Sequence, residues 1–177
     1  MAEAGPTDES TADRDEATIC YPVRGDLPLS PDDELLMIRK RRGLGSDLYN
    51  GPGGKVEADE SPLEAAVRET REEVGLDVGD LTKRAEFDFF FGDEHVFLCH
   101  VYVAREVAGT ARTTEEAIPE WRTRESIPYD EMWEDDELWL PAVLDGDTVC
   151  GTFYFDDDGD ELVDHDVALG VSFDGSG

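Results

Sequence analysis

The chain has 177 residues, enough for one domain that buries a core without disulfides. Its 45 Asp plus Glu against 15 Lys plus Arg give a formal charge of -30, which repels DNA, RNA and anionic membranes and argues against a nucleic-acid groove. Adaptation to a cytoplasm of molar salt, where repulsion is screened over roughly 3 Å, accounts for such a surface, although charge alone does not separate it from an acidic protein of a dilute cytoplasm.

Residues 1–16 are small, polar and acidic without periodicity and read as a disordered lead-in. They lack the basic start and apolar stretch of a secretory signal. Residues 17–23 form a short strand with Pro22 near its end, and the prolines of residues 25–33 mark a loop. Leu35-Leu36-Met37-Ile38 makes residues 34–42 a buried strand that runs out to a basic tip. Residues 43–54, rich in glycine, read as a loop. Ser61 then supplies an N-cap, Pro62 a first helical position and Glu64 a capping box, while Gly75 supplies the stop. Leu63, Ala66, Val67, Thr70 and Val74 share one face of this helix at about 100° per residue and form its buried stripe. Glu69, Glu72 and Glu73 fall on the other side, away from that core.

Residues 85–91 and 95–105 are strands that Gly92-Asp93-Glu94 turns into an antiparallel hairpin. Residues 120–123 add a short strand, and 135–144 a helix that Pro141 limits or kinks. Residues 149–155 and 161–167 are strands joined across Asp156-Asp157-Asp158-Gly159, and 174–177 read as frayed. The order of elements is α+β, an α/β/α sandwich around a mixed, antiparallel-rich sheet in one domain of residues 17–173. Cys20, Cys99 and Cys150 are widely spaced and odd in number, so neither a disulfide framework nor a zinc site is indicated. No apolar run approaches a membrane span. A reduced cytoplasm is the default compartment, and a monomer the expected state.

The chemistry concentrates around one stretch. Glu69, Glu72 and Glu73 within about one helical turn repel one another unless a cation joins them. Carboxylate oxygens suit Mg²⁺, or Mn²⁺ in its place. Arg68 can pair with these carboxylates and fix their orientation. Gly51-Pro52-Gly53-Gly54-Lys55, just before, lets the backbone approach a phosphate or metal. The competing reading is a solvated acidic helix face after a tight turn, which has weight in so acidic a chain. The spacing decides between them. Gly54, Glu60, Arg68-Glu69, Glu72-Glu73 and Gly75-Leu76 together resemble the signature box of the Nudix hydrolases.

That resemblance implies a Nudix fold and hydrolysis of a nucleoside diphosphate-linked substrate. It implies a metal site of Glu69, Glu72, Glu73 and the Gly53 carbonyl, with Glu116 as a further acidic ligand. Arg68, Glu69, Glu72 and Glu73 become the catalytic set, with Glu73 as general base or bridging ligand. Tyr49-Asn50-Gly51-Pro52-Gly53-Gly54-Lys55 and residues 127–141, which include Met132-Trp133-Glu134-Asp135-Asp136, extend the likeness to the MutT-like oxidised purine nucleoside triphosphate hydrolases of the 8-oxo-dGTP diphosphatase type. By this match Asn50, Asp135 and Asp136 would bind the purine edge and Trp133 would stack on the base. Lys40 and Thr18 would line the same pocket, with Lys55 also on the substrate.

The chemistry agrees: an amide offers a donor and an acceptor to a base edge, and one of two close carboxylates is pushed to hold its proton. Locally, Asp135 and Asp136 could equally cap a helix, and Trp133 could belong to the core. Thr70 stands at a usually aliphatic position. Leu44 and Pro52 stand where the animal enzymes carry aromatics, and Tyr49 where they carry tryptophan. The expected activity is Mg²⁺-dependent release of pyrophosphate from oxidised purine nucleoside triphosphates, cleansing the nucleotide pool. The alternatives are another Nudix substrate (ADP-ribose, a dinucleoside polyphosphate, an unmodified nucleotide) and a nucleotide-binding regulator with a dead site. The absence of Pro or Tyr between Leu76 and Tyr102 argues against the first alternative, and the intact acidic positions against the second.

Overall fold

A mixed sheet separates two helices, and side-chain alternation along its central strands sends apolar groups to both. The computed structural model describes residues 15–43 and 46–173. Most of the expected lead-in, the expected frayed end and Leu44 lie outside them, while Glu16 already opens a strand. The strands are β1 (Glu16–Arg24), β2 (Glu34–Lys40), β3 (Tyr49–Asn50), β4 (Gly53–Lys55), β5 (Asp77–Phe91), β6 (Glu94–Ala108), β7 (Ala117–Thr123), β8 (Val149–Phe155) and β9 (Leu162–Leu169). The helices are α1 (Pro62–Val74) and α2 (Asp136–Leu144).

The main path runs β3-β2-β1-β6-β5-β8-β9, with β4 on β1 and β7 on β2. β1–β6 and β5–β8 are parallel and the other pairs antiparallel. Strand β1 is the joint of the sheet. Its start pairs with β4, its end with β2, and its length with β6. Cys20, Tyr102 and Ala104 pack under α1 against Ala66. Tyr21, Val101, Val103, Phe87 and Phe153 face the other way, toward Trp139, Leu140 and Val143 of α2. The expected sandwich is therefore the observed one.

Helix α1 forms where its caps predict. The Ser61 side chain accepts from the Glu64 N–H, Glu64 returns a bond to the Ser61 N–H, and Gly75 ends the helix at φ 74°. Thr70 is buried and donates its hydroxyl to the Ala66 carbonyl at 2.8 Å, so the departure from an aliphatic side chain leaves no polar group unpaired.

Three expectations need correction. Residues 43–54 are not all loop, since β3 and β4 lie within them. Glycine composition hides a strand whose backbone must lie close: a Cβ on Gly53 would sit 1.9 Å from the Thr18 carbonyl oxygen. The hairpin strands are longer than expected at both outer ends. The pairing extends outward past Gly79 to Asp77 and shifts register between Lys83 and Ala85. Helix α2 ends at Leu144 as expected, with Pro141 inside it. Finally, the stripe of α1 comprises Ala65, Ala66, Thr70, Val74 and also Glu73, with Leu63 and Val67 half-buried. Glu73 does not point away from packed structure; its side of the helix lies against β4, where the Gly53 N–H meets it.

Candidate active site

Strand β4 passes across α1 so closely that a Cβ on Gly54 would lie 2.5 Å from the Glu69 carboxylate. Glycine is what lets the loop approach the acidic helix. The Gly53 N–H donates to Glu73 Oε1 at 2.9 Å. Only 5% of Glu73 is exposed, and burial pushes its carboxyl up to about 7, helped by the charges of Glu69 and Glu116 and opposed by the Gly53 N–H and Lys40. Glu69 is raised as well, chiefly by burial.

Arg68 ties the rest together. Its guanidinium reaches Glu60 at 2.6 Å, Glu69 at 2.9 Å and Glu72 at 3.2 Å, and donates to the Lys55 carbonyl at 3.1 Å. The bond from Arg68 holds Glu60 below the usual carboxylate range. Glu72 is exposed. Among the described residues no three His, Cys, Asp or Glu side chains converge into a metal cage. The donor set nevertheless suits a hard divalent cation: carboxylate oxygens and a glycine carbonyl, with a buried acid whose proton a cation would displace. Glu116 stands apart, its carboxylate held by Arg42.

Beside Glu73 opens a cavity of about 360 Å³. Thr18, Lys40, Asn50, Gly53, Gly54, Lys55 and Trp133 line it, so the structure brings these predicted residues together. The Thr18 hydroxyl is buried and has no hydrogen-bond partner among the described residues. Lys55 is the most solvated of the set, 3.8 Å from Asp15. A smaller cavity shares Ile19, Asn50, Phe97, Cys99 and Trp133 with the first and adds Asp135 and Asp136. Ile19, Phe97 and Cys99 were missed from sequence, although strand parity with Tyr21 and Val101 was available to find them.

The Asn50 amide is oriented by its neighbours. Its Oδ1 accepts from the Gly51 N–H at 2.8 Å and from the Tyr21 hydroxyl at 3.3 Å. A backbone N–H only donates, so oxygen faces it and the amide NH₂ is left for a ligand. Asp135 and Asp136 are each 2% exposed. Asp135 sits at the helix start but makes no capping bond; its Oδ2 accepts from Trp139 Nε1 at 2.8 Å. Asp135 Oδ1 and Asp136 Oδ2 are buried without a hydrogen-bond partner among the described residues. Burial pushes Asp135 up to about 6, and burial together with the Asp135 charge pushes Asp136 well above its usual range. Trp133 lies between two roles, stacked near Phe91 at 6.3 Å on one side and lining both cavities on the other. His95 and His100 bond to Asp88 and to Glu16 respectively.

Comparisons with known proteins agree in direction. The NUDIX domain profile matches residues 22–143. The oxidized purine nucleoside triphosphate hydrolase of Mus musculus is 39% identical over 132 residues, 74% of this chain and 84% of that protein. The protein of the same name from Danio rerio is 36% identical over the same coverage. The crystal structure of a mutator MutT protein from Bacillus halodurans superposes with a TM-score of 0.72 at 28% identity, covering 86% of this chain and 97% of that one.

Proposed function

The chain belongs to the NUDIX domain family and is a hydrolase of phosphoanhydride bonds, and from that premise we propose that it is a Mg²⁺-dependent pyrophosphohydrolase of oxidised purine nucleoside triphosphates. Substrates of the 8-oxo-dGTP and 2-hydroxy-dATP type would yield the monophosphate and pyrophosphate. The observation that carries the reading is the pair of adjoining cavities: Glu73 lines one, the two buried aspartates line the other, and Asn50 and Trp133 line both.

Glu69, Glu72, Glu73 and the Gly53 carbonyl would hold the cation, and Glu116 would add to them. Once bound, Mg²⁺ screens the polyphosphate and lowers the pKa of water. Glu73 has a carboxyl near 7, which suits it to take a proton at neutral pH. Arg68 orients Glu69 and Glu72, and Lys40 with Lys55 offsets phosphate charge at the cavity mouth. At the base end the Asn50 NH₂ donates, a protonated Asp136 donates and Asp135 accepts, while Trp133 offers a face for stacking. A pair that holds one proton presents opposite hydrogen-bonding groups to an edge altered by oxidation. The role in the cell would be sanitising the nucleotide pool, in the cytoplasm, by a monomer. Among the described residues no helix is long and apolar enough to cross a membrane.

The test is pyrophosphate release in Mg²⁺ and concentrated KCl from 8-oxo-dGTP, 2-hydroxy-dATP, dGTP, ADP-ribose and a dinucleoside tetraphosphate. Faster turnover of the oxidised nucleotides than of dGTP is expected. Hydrolysis confined to ADP-ribose or the dinucleotide would sink the substrate assignment.

A further inference from the structure

The run Arg39-Lys40-Arg41-Arg42 supplies four of the 15 Lys plus Arg residues of a chain with 45 acids. Its members are engaged differently. Arg39 faces Asp47 at 3.6 Å, and Lys40 lines the cavity. Arg41 is committed to backbone, its N–H to the Glu116 carbonyl at 3.0 Å and its Nη1 to the Thr114 carbonyl at 2.9 Å. Arg42 takes the Glu116 carboxylate: Nε donates to Oε2 at 2.9 Å and Nη2 donates to the same oxygen. Glu116 is nonetheless tied to the site by its backbone, because its N–H donates to the Thr114 hydroxyl and that hydroxyl donates to the Glu73 carbonyl.

We propose that Arg42 is a latch on Glu116 that the substrate releases: without nucleotide it holds the carboxylate, and an incoming polyphosphate takes over its guanidinium, freeing Glu116 to join Glu73 at the cation. The inference rests on the hydrolase reading above. A guanidinium fork fits carboxylate and phosphate alike, and the polyphosphate carries the greater charge. The latch is weak enough to exchange, because the two side chains are 58% and 41% exposed. The backbone around Glu116 stays anchored meanwhile. The Thr114 hydroxyl donates to the Glu73 carbonyl at 2.6 Å and accepts from the Glu116 N–H at 3.1 Å. Only the Glu116 side chain need turn.

The experiment measures Mn²⁺ affinity of the full chain without nucleotide, from the electron paramagnetic resonance of the free ion. Arg42→Gln should bind Mn²⁺ about two- to fivefold tighter than wild type, the worth of an exposed ion pair. Arg42→Lys should stay close to wild type. Arg42→Gln made on a Glu116→Gln background should change nothing. Equal or weaker binding in Arg42→Gln overturns the latch, as does the same gain without Glu116, which would be bulk charge alone. In turnover of a nucleoside triphosphate, Arg42→Gln should raise KM more than it lowers kcat; tighter Mn²⁺ binding with unchanged KM overturns the handover to phosphate. Wild type that binds Mn²⁺ through Glu73 yet hydrolyses no nucleotide would defeat the hydrolase reading while the Mn²⁺ comparison still decides the latch. If wild type binds no Mn²⁺, the latch falls with the metal site.

Discussion

Two acidic clusters border the adjoining cavities, and they carry their charge in opposite ways. On α1, Arg68 sits among Glu60, Glu69 and Glu72, and only Glu73 is driven to hold a proton near neutrality. At the start of α2, Asp135 and Asp136 are buried, Asp135 takes the Trp139 indole N–H, and among the described residues one oxygen of each lacks a partner. In the proposed function the first cluster, held by Arg68, takes a cation, and the second, raised by burial, serves as a donor and acceptor pair. In a chain of charge -30 the number of carboxylates says little. Burial and the nearest cation decide what each one does.

The largest effect that would break this contrast lies on the first cluster. Glu73→Gln should lower pyrophosphate release by about 10²- to 10⁴-fold in a protein that remains folded. Wild-type rates in that variant would remove Glu73 from the mechanism. On the second side, Asn50→Ala should raise KM for the nucleotide about tenfold or more, without moving the Mg²⁺ concentration needed for half activity, because it deletes a donor to the base edge. An altered Mg²⁺ requirement would show that the two regions are not separate.

Titration separates them further. Asp135, Asp136 and Glu73 all have carboxyls raised in the folded state, so their contribution to stability is present at low pH and is lost as pH rises through about 6 for Asp135 and about 7 for Glu73. The metal-free chain should therefore lose melting temperature between about pH 5 and pH 8, on the order of 5 °C. Mg²⁺ should recover part of that loss at pH 8 and little at pH 5.5, since it competes with the Glu73 proton. A Mg²⁺ effect independent of pH would contradict the assignment. The smallest expected effect tests the scaffold alone: Ser61→Ala should cost about 1 kcal/mol in thermal unfolding and leave KM unchanged.

The α1 region was legible because its signals are local. Ser61, Pro62, Glu64 and Gly75 act within their own helix, and the box residues sit at fixed steps along it. The sandwich followed from the order of strands and helices. What escaped was set by distant partners. Nothing near Glu73 in sequence announces that the Gly53 N–H will meet it, and glycines that look like loop form β4 because the backbone must lie against Thr18. Asp135-Asp136 could have been a helix cap or part of a pocket on local grounds. The fold resolves the ambiguity by burying both and giving Asp135 to Trp139 instead of to the helix N–H groups. The bonds from Arg42 and Thr114 to the site span loops far apart in the chain and leave no local trace.

The division of labour between the two clusters is tested most directly by measuring Mn²⁺ and the monophosphate product 8-oxo-dGMP separately on Glu73→Gln and Asn50→Ala. Glu73→Gln should lose most of its Mn²⁺ affinity and still bind the monophosphate. Asn50→Ala should bind Mn²⁺ as wild type does and lose the monophosphate. If each variant loses both ligands, or Glu73→Gln binds Mn²⁺ normally, the account of a metal end and a base end is wrong.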